Sequence, residues 1–281
     1  MQLVGQPLAI SRSHTFKPAD FQALLIFVAF HPNLNEVNLL ESCLSQLPKN
    51  IGFVVVANDY RPNEAVEELA ASSFLFLRNT DNIGYGRAVN QAVRALKALG
   101  ALPCFLGVMN TDLSWQAGSI QTLLAWLEHH ADVVMAVPQL LDPSGTVQKL
   151  CKHHPTALAL FSRRFLPEWC KPKWLKQYDK WYIMGDYDYT NIFDVPYLSG
   201  CCILLRSNVF QAVGGFDERF FLYLEDADIT RLFAQYGRTI HLPIASVVHN
   251  WGRGNHFSKY LTLVNLQSVW LYFRKWGLKL I

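Results

Sequence analysis

Short, predominantly apolar runs, separated by segments with helical spacing, most constrain the fold of this chain. They span residues 23–30, 51–57, 74–77, 104–109 and 132–137. Apolar runs of this length are typical of strands buried on both faces, as in parallel sheets. Their alternation with helical segments predicts an α/β fold with a doubly wound, mostly parallel central sheet and helices on both faces.

Polar residues follow three of these runs, where each strand is expected to end. They are His31-Pro32-Asn33, Asn58-Asp59 and Asn110-Thr111-Asp112. The carboxyl ends of parallel strands meet at one edge of a sheet, where open α/β sheets bind their ligands. Asn110 and Asp112 lie two residues apart on a turn, so their side-chain oxygen atoms can coordinate a hard divalent cation. Such a cation can in turn bind a diphosphate. Alternatively, Asn110 begins a turn and Asp112 caps the next helix, which is expected to run from Trp115 to His130.

The second half of the chain has a different texture. Residues 149–192 are rich in Lys, His, Trp, Tyr and Pro and show little periodicity. This indicates an irregular insertion beside the crevice: an acceptor-binding lid, a membrane-facing surface or an excursion packed against the core. Residues 195–205 are strand-like, with a break at Gly200, and residues 226–235 have the spacing of an amphipathic helix. Two short extended pieces are expected at 240–243 and 246–248. A helical tail with aromatic and basic residues follows at 260–281.

Composition and cysteine usage exclude several classes of protein. Hydrophobic residues make up 51% and charged residues 17%, which excludes a disordered chain. A net charge of +3 is too small to indicate nucleic-acid binding. The six cysteines contain no CxxC pair, which favours reduced thiols and a cytoplasmic location over disulfides or a zinc site. The apolar run at 23–30 is too short to span a bilayer, and the segment before it lacks the order of a signal peptide.

Several segments together resemble the family 2 inverting glycosyltransferases, whose nucleotide-sugar-binding fold is called GT-A. The resemblance runs from about Ala23 to His249 and depends on the order and spacing of its parts. The matching segments are residues 82–90 (NIGYGRAVN), residues 110–112 (NTD), residues 214–228 (GGFDERFFLYLEDAD) and residues 247–249 (VVH).

The resemblance implies chemical roles for four of these residues. Asp226 is expected to be the general base that takes the proton of the acceptor hydroxyl. Asp112 and His249 are expected to hold a divalent cation, Mg²⁺ or Mn²⁺, with the donor diphosphate. Asn110 stands where a full D-x-D motif has its first Asp, which implies weaker metal binding or a second ligand from elsewhere. The alternative for Asp226 is a helix cap alone.

The resemblance also implies contacts with the substrates. The expected residues are Asn58, Asp59, Asn82, Gly84, Arg87, Asn110, Glu225 and Arg253. Asn58 and Asp59 stand, in swapped order, where the family has an Asp-Asn pair at the nucleoside. Glu225 alternatively supports the site by pairing with a cation such as Arg231. For Gly84 the alternative is a turn that only allows close packing.

A single GT-A domain with distinct parts is therefore expected. The parts are an N-terminal extension (1–20), a nucleotide-sugar-binding half (21–140), an acceptor-binding and catalytic half (141–255) that contains the insertion at 149–192, and a helical tail (256–281).

The implied activity is inverting transfer of a sugar from a nucleoside diphosphate to a glycan or lipid-linked glycan in surface polysaccharide synthesis. Sequences that look like this one include rhamnosyltransferases, so dTDP-rhamnose is the first expected donor and a UDP-sugar the second. The insertion and the tail suggest peripheral contact with the inner face of the membrane. The alternative is a non-catalytic nucleotide- or glycan-binding module, because Asn110 replaces an acid. A nucleotidylyltransferase would need a Gly-rich loop after the first strand, and residues 31–33 are not one.

Overall fold

A computed structural model describes residues 10–12, 21–250 and 259–281. Within these residues, ten strands form one sheet. The strands are β1 (Ile10–Arg12), β2 (Ala23–Ala29), β3 (Ile51–Ala57), β4 (Leu75–Arg78), β5 (Phe105–Asn110), β6 (Leu113–Trp115), β7 (Val133–Leu141), β8 (Phe193–Asp194), β9 (Cys202–Arg206) and β10 (Arg238–His249). The helices are α1 (Leu34–Leu44), α2 (Tyr85–Ala98), α3 (Ser119–His129), α4 (Ala157–Phe165), α5 (Lys173–Tyr182), α6 (Ser207–Ala212), α7 (Glu225–Phe233) and α8 (Lys259–Trp276), with short 3₁₀ turns at Ala65–Leu69 and Glu168–Cys170.

The sheet combines parallel and antiparallel pairs. Its order is β1-β4-β3-β2-β5-β9-β7-β10-β6, and β8 pairs with β10. Strands β2 to β5 pair in parallel, as do β7 and β10, whereas β9 runs antiparallel to both β5 and β7. The predicted α/β class is confirmed. The sheet is less parallel than expected because strand direction in the second half depends on connections that an apolar run does not reveal.

The core lies on both faces of this sheet. Alternate residues of β2 point to opposite faces: Leu25 packs with residues of α1 and α3, and Leu24 packs with residues of α2 and α7. Both leucine side chains are fully buried. Burial of such a side chain contributes about 1.5–3 kcal/mol to folding. A strand that is apolar throughout therefore requires helices on both faces, as predicted.

Local structure differs from the sequence-based expectation in three places. Trp115, expected to begin a helix, lies in β6, which pairs antiparallel with β10. Residues 149–192, expected to be irregular, contain α4 and α5. The two short extended pieces expected near 240–248 form one strand, β10, with an irregularity between Leu242 and Ser246. In each case tertiary packing outweighs a weak local signal.

The carboxyl ends of β2, β3 and β5 lie side by side. Ala29 of β2 is opposite Ala57 of β3, and Val28 is opposite Asn110 of β5. The polar residues that follow these strands therefore share one edge of the sheet. This edge is where the functional residues were expected to meet.

Among the helices that the structure describes, none is long and apolar enough to cross a membrane.

Candidate active site

The side chains of Asp112 and His249 meet at the carboxyl end of β5. Asp112 lies between β5 and β6, and the pairing of β6 with β10 places Leu113 opposite His249. The backbone N–H of Asn250 donates to the Asp112 carbonyl at 2.9 Å. As a result, Asp112 Oδ2 lies 3.4 Å from His249 Nε2. The structure thus brings together the two residues predicted to hold a cation.

Gln148 orients the imidazole ring of His249. Its Nε2 donates to the His249 carbonyl at 2.9 Å, and its Oε1 lies 2.9 Å from His249 Nδ1. Because Oε1 accepts hydrogen bonds only, Nδ1 must carry the proton in this pair. In the neutral ring the lone pair is then on Nε2, the atom that faces Asp112. This is the tautomer that a metal-binding histidine needs.

The environment of Asp112 fits a divalent cation. Its Oδ1 atom is buried and accepts no hydrogen bond from the described residues. Leaving a buried acceptor unsatisfied costs about 1–3 kcal/mol, which a bound cation would offset. In the described part of the chain, no group of three or more His, Cys, Asp or Glu side chains is placed to hold a metal. Asp112 and His249 therefore suit a cation that takes further ligands from a diphosphate and water, as Mg²⁺ commonly does.

The carboxylate of Asp226 is held firmly at the start of α7. Its Oδ2 accepts from the backbone N–H of Gly200 at 3.0 Å, and its Oδ1 accepts from the Tyr197 hydroxyl at 3.0 Å. A Cβ atom at Gly200 would lie 3.2 Å from the Asp226 Cβ, so this close approach favours glycine. The contacts fix the orientation of a carboxylate that sequence analysis assigned as the base.

Residues 199–201 adjoin both acidic side chains. Gly200 donates to Asp226, and the carbonyl of the next residue, Cys201, accepts from the backbone N–H of Asn110 at 2.9 Å. Burial raises the pKa of the Cys201 thiol to about 12, and Asp112 and Asp226 both add to this increase. Such an effect requires both carboxylates to lie near the same thiol. Residues 199–201 therefore contact segments that carry both acids, and the expectation that Asp112 and Asp226 line one pocket stays a prediction.

Glu225 is buried beside the expected base. Burial and the neighbouring Asp226 carboxylate raise the pKa of Glu225 above its usual range. Its Oε2 atom has no hydrogen-bond partner among the described residues. The suggested pairing with Arg231 is wrong, because the Arg231 guanidinium lies 4.4 Å from the centre of the Trp276 ring and donates to Tyr272.

Asn58 and Asn82 belong to a network of amides behind the strand ends. The Asn58 Oδ1 accepts from Asn79 at 2.9 Å, and the Asn58 Nδ2 donates to Asn82 at 3.4 Å. Asn79 also exchanges two hydrogen bonds of 2.9 Å with Gln91. Asn58 is buried, and this network fixes the backbone at the end of β3. Its predicted contact with the nucleoside stays a prediction.

Gly84 allows two segments of backbone to pack closely. It has a φ of +90°, and a Cβ atom there would lie 2.6 Å from the Phe221 carbonyl oxygen. The same oxygen accepts from the Tyr85 N–H at 3.1 Å. At Gly86, a Cβ atom would lie 2.8 Å from the Cβ of Phe216. Both glycines thus allow the start of α2 to pack closely against residues 216–221. This is the role that the alternative interpretation of Gly84 predicted.

Replacing Gly84 with alanine is expected to destabilise the protein by about 2–3 kcal/mol, from backbone strain together with overlap with Phe221. Gly118 is the control for a positive φ, since its φ is +86° and no atom lies within 4 Å of a Cβ there. Its ψ is −15°, whereas that of Gly84 is 160°, a region almost exclusive to glycine, so Gly84 also carries the larger backbone strain. Gly118→Ala is therefore expected to cost only the strain, about 1–2 kcal/mol. Urea denaturation of both variants measures the difference. Equal losses would show that the contact with Phe221 does not require glycine.

Asp59 lies in a small cluster of charged side chains near the ends of β2 and β3. Its Oδ2 lies 2.9 Å from His31 Nε2 and 3.0 Å from the Arg61 guanidinium, and the other nitrogen of His31 contacts Glu64. The His31 contact lowers the pKa of Asp59. Burial would lower the pKa of His31, but hydrogen bonds with Asp59 and Glu64 outweigh burial and raise it. The Asp59 carboxylate is thus paired within the chain.

This cluster predicts a dependence of stability on pH. The raised pKa of His31 gives stability that is complete below about pH 6.5 and is lost as the pH rises through the higher folded-state value. The lowered pKa of Asp59 gives stability that is present above about pH 4 and is lost as the pH falls. The contribution is therefore largest between these limits, at about 1 kcal/mol for a partly exposed cluster.

Urea denaturation at pH 5.5 and 8.5 tests this prediction. We expect His31→Asn to destabilise the protein by about 1 kcal/mol more at pH 5.5 than at pH 8.5. His129 is the control, because it is exposed and its Nδ1 contacts only the Ala125 carbonyl. A similar pH dependence in His129→Asn would show that the effect does not come from the cluster.

The remaining predicted substrate contacts are placed as follows. The Arg87 guanidinium donates to the Glu218 carbonyl at 2.8 Å and lies 3.6 Å from the Glu218 carboxylate. The positive charge of Arg87 is therefore paired within the chain. Asn110 ends β5 beside Asp112. Arg253 lies outside the described residues.

Three residues that matter at the site carried no sequence signal strong enough to single them out. Gln148 and Tyr197 orient His249 and Asp226, yet each is an isolated polar or aromatic residue in its own segment. Gly200 appeared only as a break in an expected strand. A residue that acts by orienting another is recognisable only once the partner is adjacent in space.

Comparison with known proteins identifies the family of this chain. Residues 32–214 match the model of the family described as "Glycosyl transferase family 2". The chain is 29% identical over 268 residues to a protein named N-acetylglucosaminyl-diphospho-decaprenol L-rhamnosyltransferase in two strains of Mycobacterium tuberculosis. That alignment covers 88% of this chain and 85% of the relative.

Solved structures with a similar fold are also glycosyltransferases. GalNAc-T7 with UDP, GalNAc and Mn²⁺ aligns with a TM-score of 0.58 at 14% identity, over 83% of this chain and 44% of that one. The mannosyltransferase PcManGT from Pyrobaculum calidifontis, with GDP-Man and Mn²⁺, aligns with a TM-score of 0.57 at 13% identity, over 96% and 67%. This chain thus spans less than half of the length of the GalNAc-T7 chain. These likenesses confirm the GT-A fold. Because the family match covers more than half of the chain, this glycosyltransferase belongs to glycosyl transferase family 2.

Proposed function

We propose that the protein transfers rhamnose from dTDP-rhamnose to a lipid-linked glycan, with inversion at the anomeric carbon. The named relative supports both the sugar and the lipid-linked acceptor, since it aligns over most of both chains. The observation that carries the proposal is the placement of Asp226. Gly200 and Tyr197 hold its carboxylate beside the segment that also adjoins Asp112.

The chemistry follows from this placement. The acceptor hydroxyl oxygen attacks the anomeric carbon while the bond from that carbon to the diphosphate oxygen breaks. Asp226 accepts the hydroxyl proton as the new bond forms. A single in-line displacement with one carboxylate base inverts the anomeric centre. The hydrogen bonds from Gly200 and Tyr197 keep the carboxylate aimed during this step, which limits the loss of rate from misplacement.

Asp112 and His249 would hold a divalent cation, which supplies positive charge to offset the charge on the leaving diphosphate. The imidazole contributes Nε2, and Gln148 keeps that atom directed at Asp112. The shared position of these residues at the edge of the sheet, where the donor is expected, supports this role.

A donor and acceptor panel tests the proposed function. The purified protein is incubated with dTDP-rhamnose or UDP-sugars and with N-acetylglucosaminyl diphosphate carrying a short polyprenyl chain, and the products are measured by mass spectrometry. Rhamnosyl transfer to the lipid-linked acceptor is expected. Transfer from a UDP-sugar alone would overturn the donor assignment. Nucleotide binding without any transfer would favour the non-catalytic alternative.

Exposed aromatic side chains support peripheral contact with a membrane. Phe161 and Phe165 of α4, Trp169 and Trp174 are all solvent-exposed, and Trp169 is 84% exposed. Exposed lysines, including Lys173, accompany them. Aromatic and basic side chains together suit the interface of an anionic bilayer. Sedimentation with anionic lipid vesicles is expected to recover the native protein. A Trp169→Ser, Trp174→Ser variant that sediments equally well would overturn this contact.

A further inference from the structure

A cavity of about 480 Å³ lies directly beside the proposed base. Tyr197, whose hydroxyl donates to Asp226, forms part of its wall, and so does Leu224, which immediately precedes α7. Other lining residues are Lys152, Arg163, Arg164, Phe165 and Tyr182. The cavity therefore connects the base to side chains of α4, in the segment that sequence analysis treated as an irregular insertion.

The charged residues that line this cavity are all cations. Lys152, Arg163 and Arg164 line it, and none of its other lining residues in the described part of the chain is acidic. Among the described residues, none of the three forms an ion pair. By contrast, Lys171 pairs with Asp179, and Lys275 pairs with Asp228. An excess of positive charge in a partly enclosed space favours an anionic ligand.

Each of the three cations is held by neutral groups. Lys152 is fixed opposite Tyr197 by two backbone hydrogen bonds of 3.0 Å, and its ammonium lies 4.2 Å from the centre of that ring. Arg164 donates to the Thr262 hydroxyl at 2.7 Å. The Arg163 guanidinium lies 6.0 Å from the centre of the Tyr182 ring. These contacts position the charges without neutralising them.

Lys152 lies close to the proposed base through Tyr197, and it lines the same cavity as Arg163. Burial lowers the pKa of Lys152; Asp226 opposes this effect, and Arg163 adds to it. The charges of Asp226 and Arg163 therefore both act on the Lys152 ammonium. An anion bound between Lys152 and Arg163 would relieve their mutual repulsion.

The proposed function already assigns the donor diphosphate to Asp112 and His249 at the sheet edge. The anion that binds in this cavity is therefore a different one. We infer that Lys152, Arg163 and Arg164 bind the diphosphate of the lipid-linked acceptor, an assignment that rests on the proposed function. Lys152 adjoins Tyr197, which adjoins Asp226. The Lys152 ammonium lies 4.2 Å from the centre of the Tyr197 ring, and the Tyr197 hydroxyl lies 3.0 Å from Asp226 Oδ1. The cation and the proposed base are thus separated by one aromatic ring, which suits an acceptor whose reactive hydroxyl and diphosphate are separated by a sugar ring.

The aromatic side chains of α4 suit the lipid part of the same acceptor. Phe165 lines the cavity and its ring centre lies 5.4 Å from that of Phe161. Both rings are solvent-exposed, and Arg163 and Arg164 lie between them in the sequence of the same helix. A lipid chain leaving the cationic cavity therefore meets apolar surface rather than charge.

The test uses an Arg163→Gln, Arg164→Gln variant and two acceptors. One is N-acetylglucosaminyl diphosphate with a short polyprenyl chain, and the other is a neutral alkyl N-acetylglucosaminide. For the diphosphate acceptor, the KM of the variant is expected to rise about 10–100-fold, the loss expected when a charge-assisted hydrogen bond is removed. The KM for the neutral acceptor and for the donor is expected to stay unchanged. Arg274→Gln, which removes an exposed cation away from this cavity, is the control.

Calorimetry without donor separates failure of this inference from failure of the proposed function. The native protein is expected to bind the diphosphate acceptor, and the double variant to bind it about 10–100-fold more weakly, whether or not transfer occurs. Equal weakening for both acceptors would overturn the inference. So would unchanged binding of the diphosphate acceptor together with lost binding to anionic phospholipid vesicles, since the cations would then serve a lipid headgroup.

Discussion

Replacement of Asp226 with asparagine is expected to lower kcat by about 10²–10⁴-fold, the usual contribution of a general base. Asparagine keeps the size of the side chain and still accepts a hydrogen bond from Gly200, but its amide is a far weaker base than a carboxylate. Donor binding is expected to stay within about threefold of that of the native protein, because the donor contacts at Asp112 and His249 are untouched. Steady-state kinetics and calorimetry with the nucleoside diphosphate measure the two quantities.

Two further measurements make this prediction decisive. The melting temperature of Asp226→Asn shows whether loss of activity follows from loss of folded protein, since Asp226 also accepts hydrogen bonds from Gly200 and Tyr197. Asp186→Asn removes an exposed carboxylate paired with Lys180 and is expected to leave kcat unchanged. The helix-cap alternative is wrong, because Leu224 is the N-cap of α7. Native turnover in a folded Asp226→Asn protein would remove the assignment of the base and leave the residue with its structural contacts to Gly200 and Tyr197.

Replacement of Asp112 with asparagine is expected to abolish metal-dependent binding of the donor diphosphate and to lower kcat/KM by about 100-fold or more. In the native protein, a saturating nucleoside diphosphate with Mn²⁺ is expected to raise the melting temperature by about 5 °C, since binding at 100 times Kd adds about 2.7 kcal/mol. EDTA is expected to remove this shift. In Asp112→Asn the shift is expected to be absent with and without EDTA.

The stability of the variant without ligand supplies the control. Asp112 Oδ1 is buried and accepts no hydrogen bond from the described residues, so replacing its carboxylate with a neutral amide should not lower the melting temperature. A Mn²⁺-dependent shift of native size in Asp112→Asn would contradict the assignment. It would move the cation to other ligands, with Asn110 and His249 as the first to examine.

Hydrophobic periodicity predicted much of the structure of residues 21–140. The runs at 23–30 and 51–57 became β2 and β3, because residues that are apolar in succession are stable only when both faces of a strand are covered. Parallel pairing then brought the polar residues after these strands to one edge. That part of the site could be predicted because each local signal agreed with the global fold.

The second half was harder to predict because its structure depends on distant partners. Trp115 has no local reason to be extended rather than helical, and it lies in β6 because β10, more than one hundred residues later in the chain, pairs with it. The helices of residues 149–192 are short and carry exposed aromatic residues. Their periodicity is therefore weak, and the cavity beside α4 could not be expected from it.

The sequence by itself determined the α/β class, the strand ends at which polar side chains collect, and the two acids, Asp112 and Asp226, that the family resemblance marks as functional. Only the tertiary structure decided how these side chains are oriented. Gln148 directs His249, and Gly200 and Tyr197 hold Asp226, through contacts between segments far apart in sequence. The physical reason is that strand formation follows from local hydrophobic pattern, whereas the orientation of a functional group depends on neighbours that only folding brings within hydrogen-bonding distance.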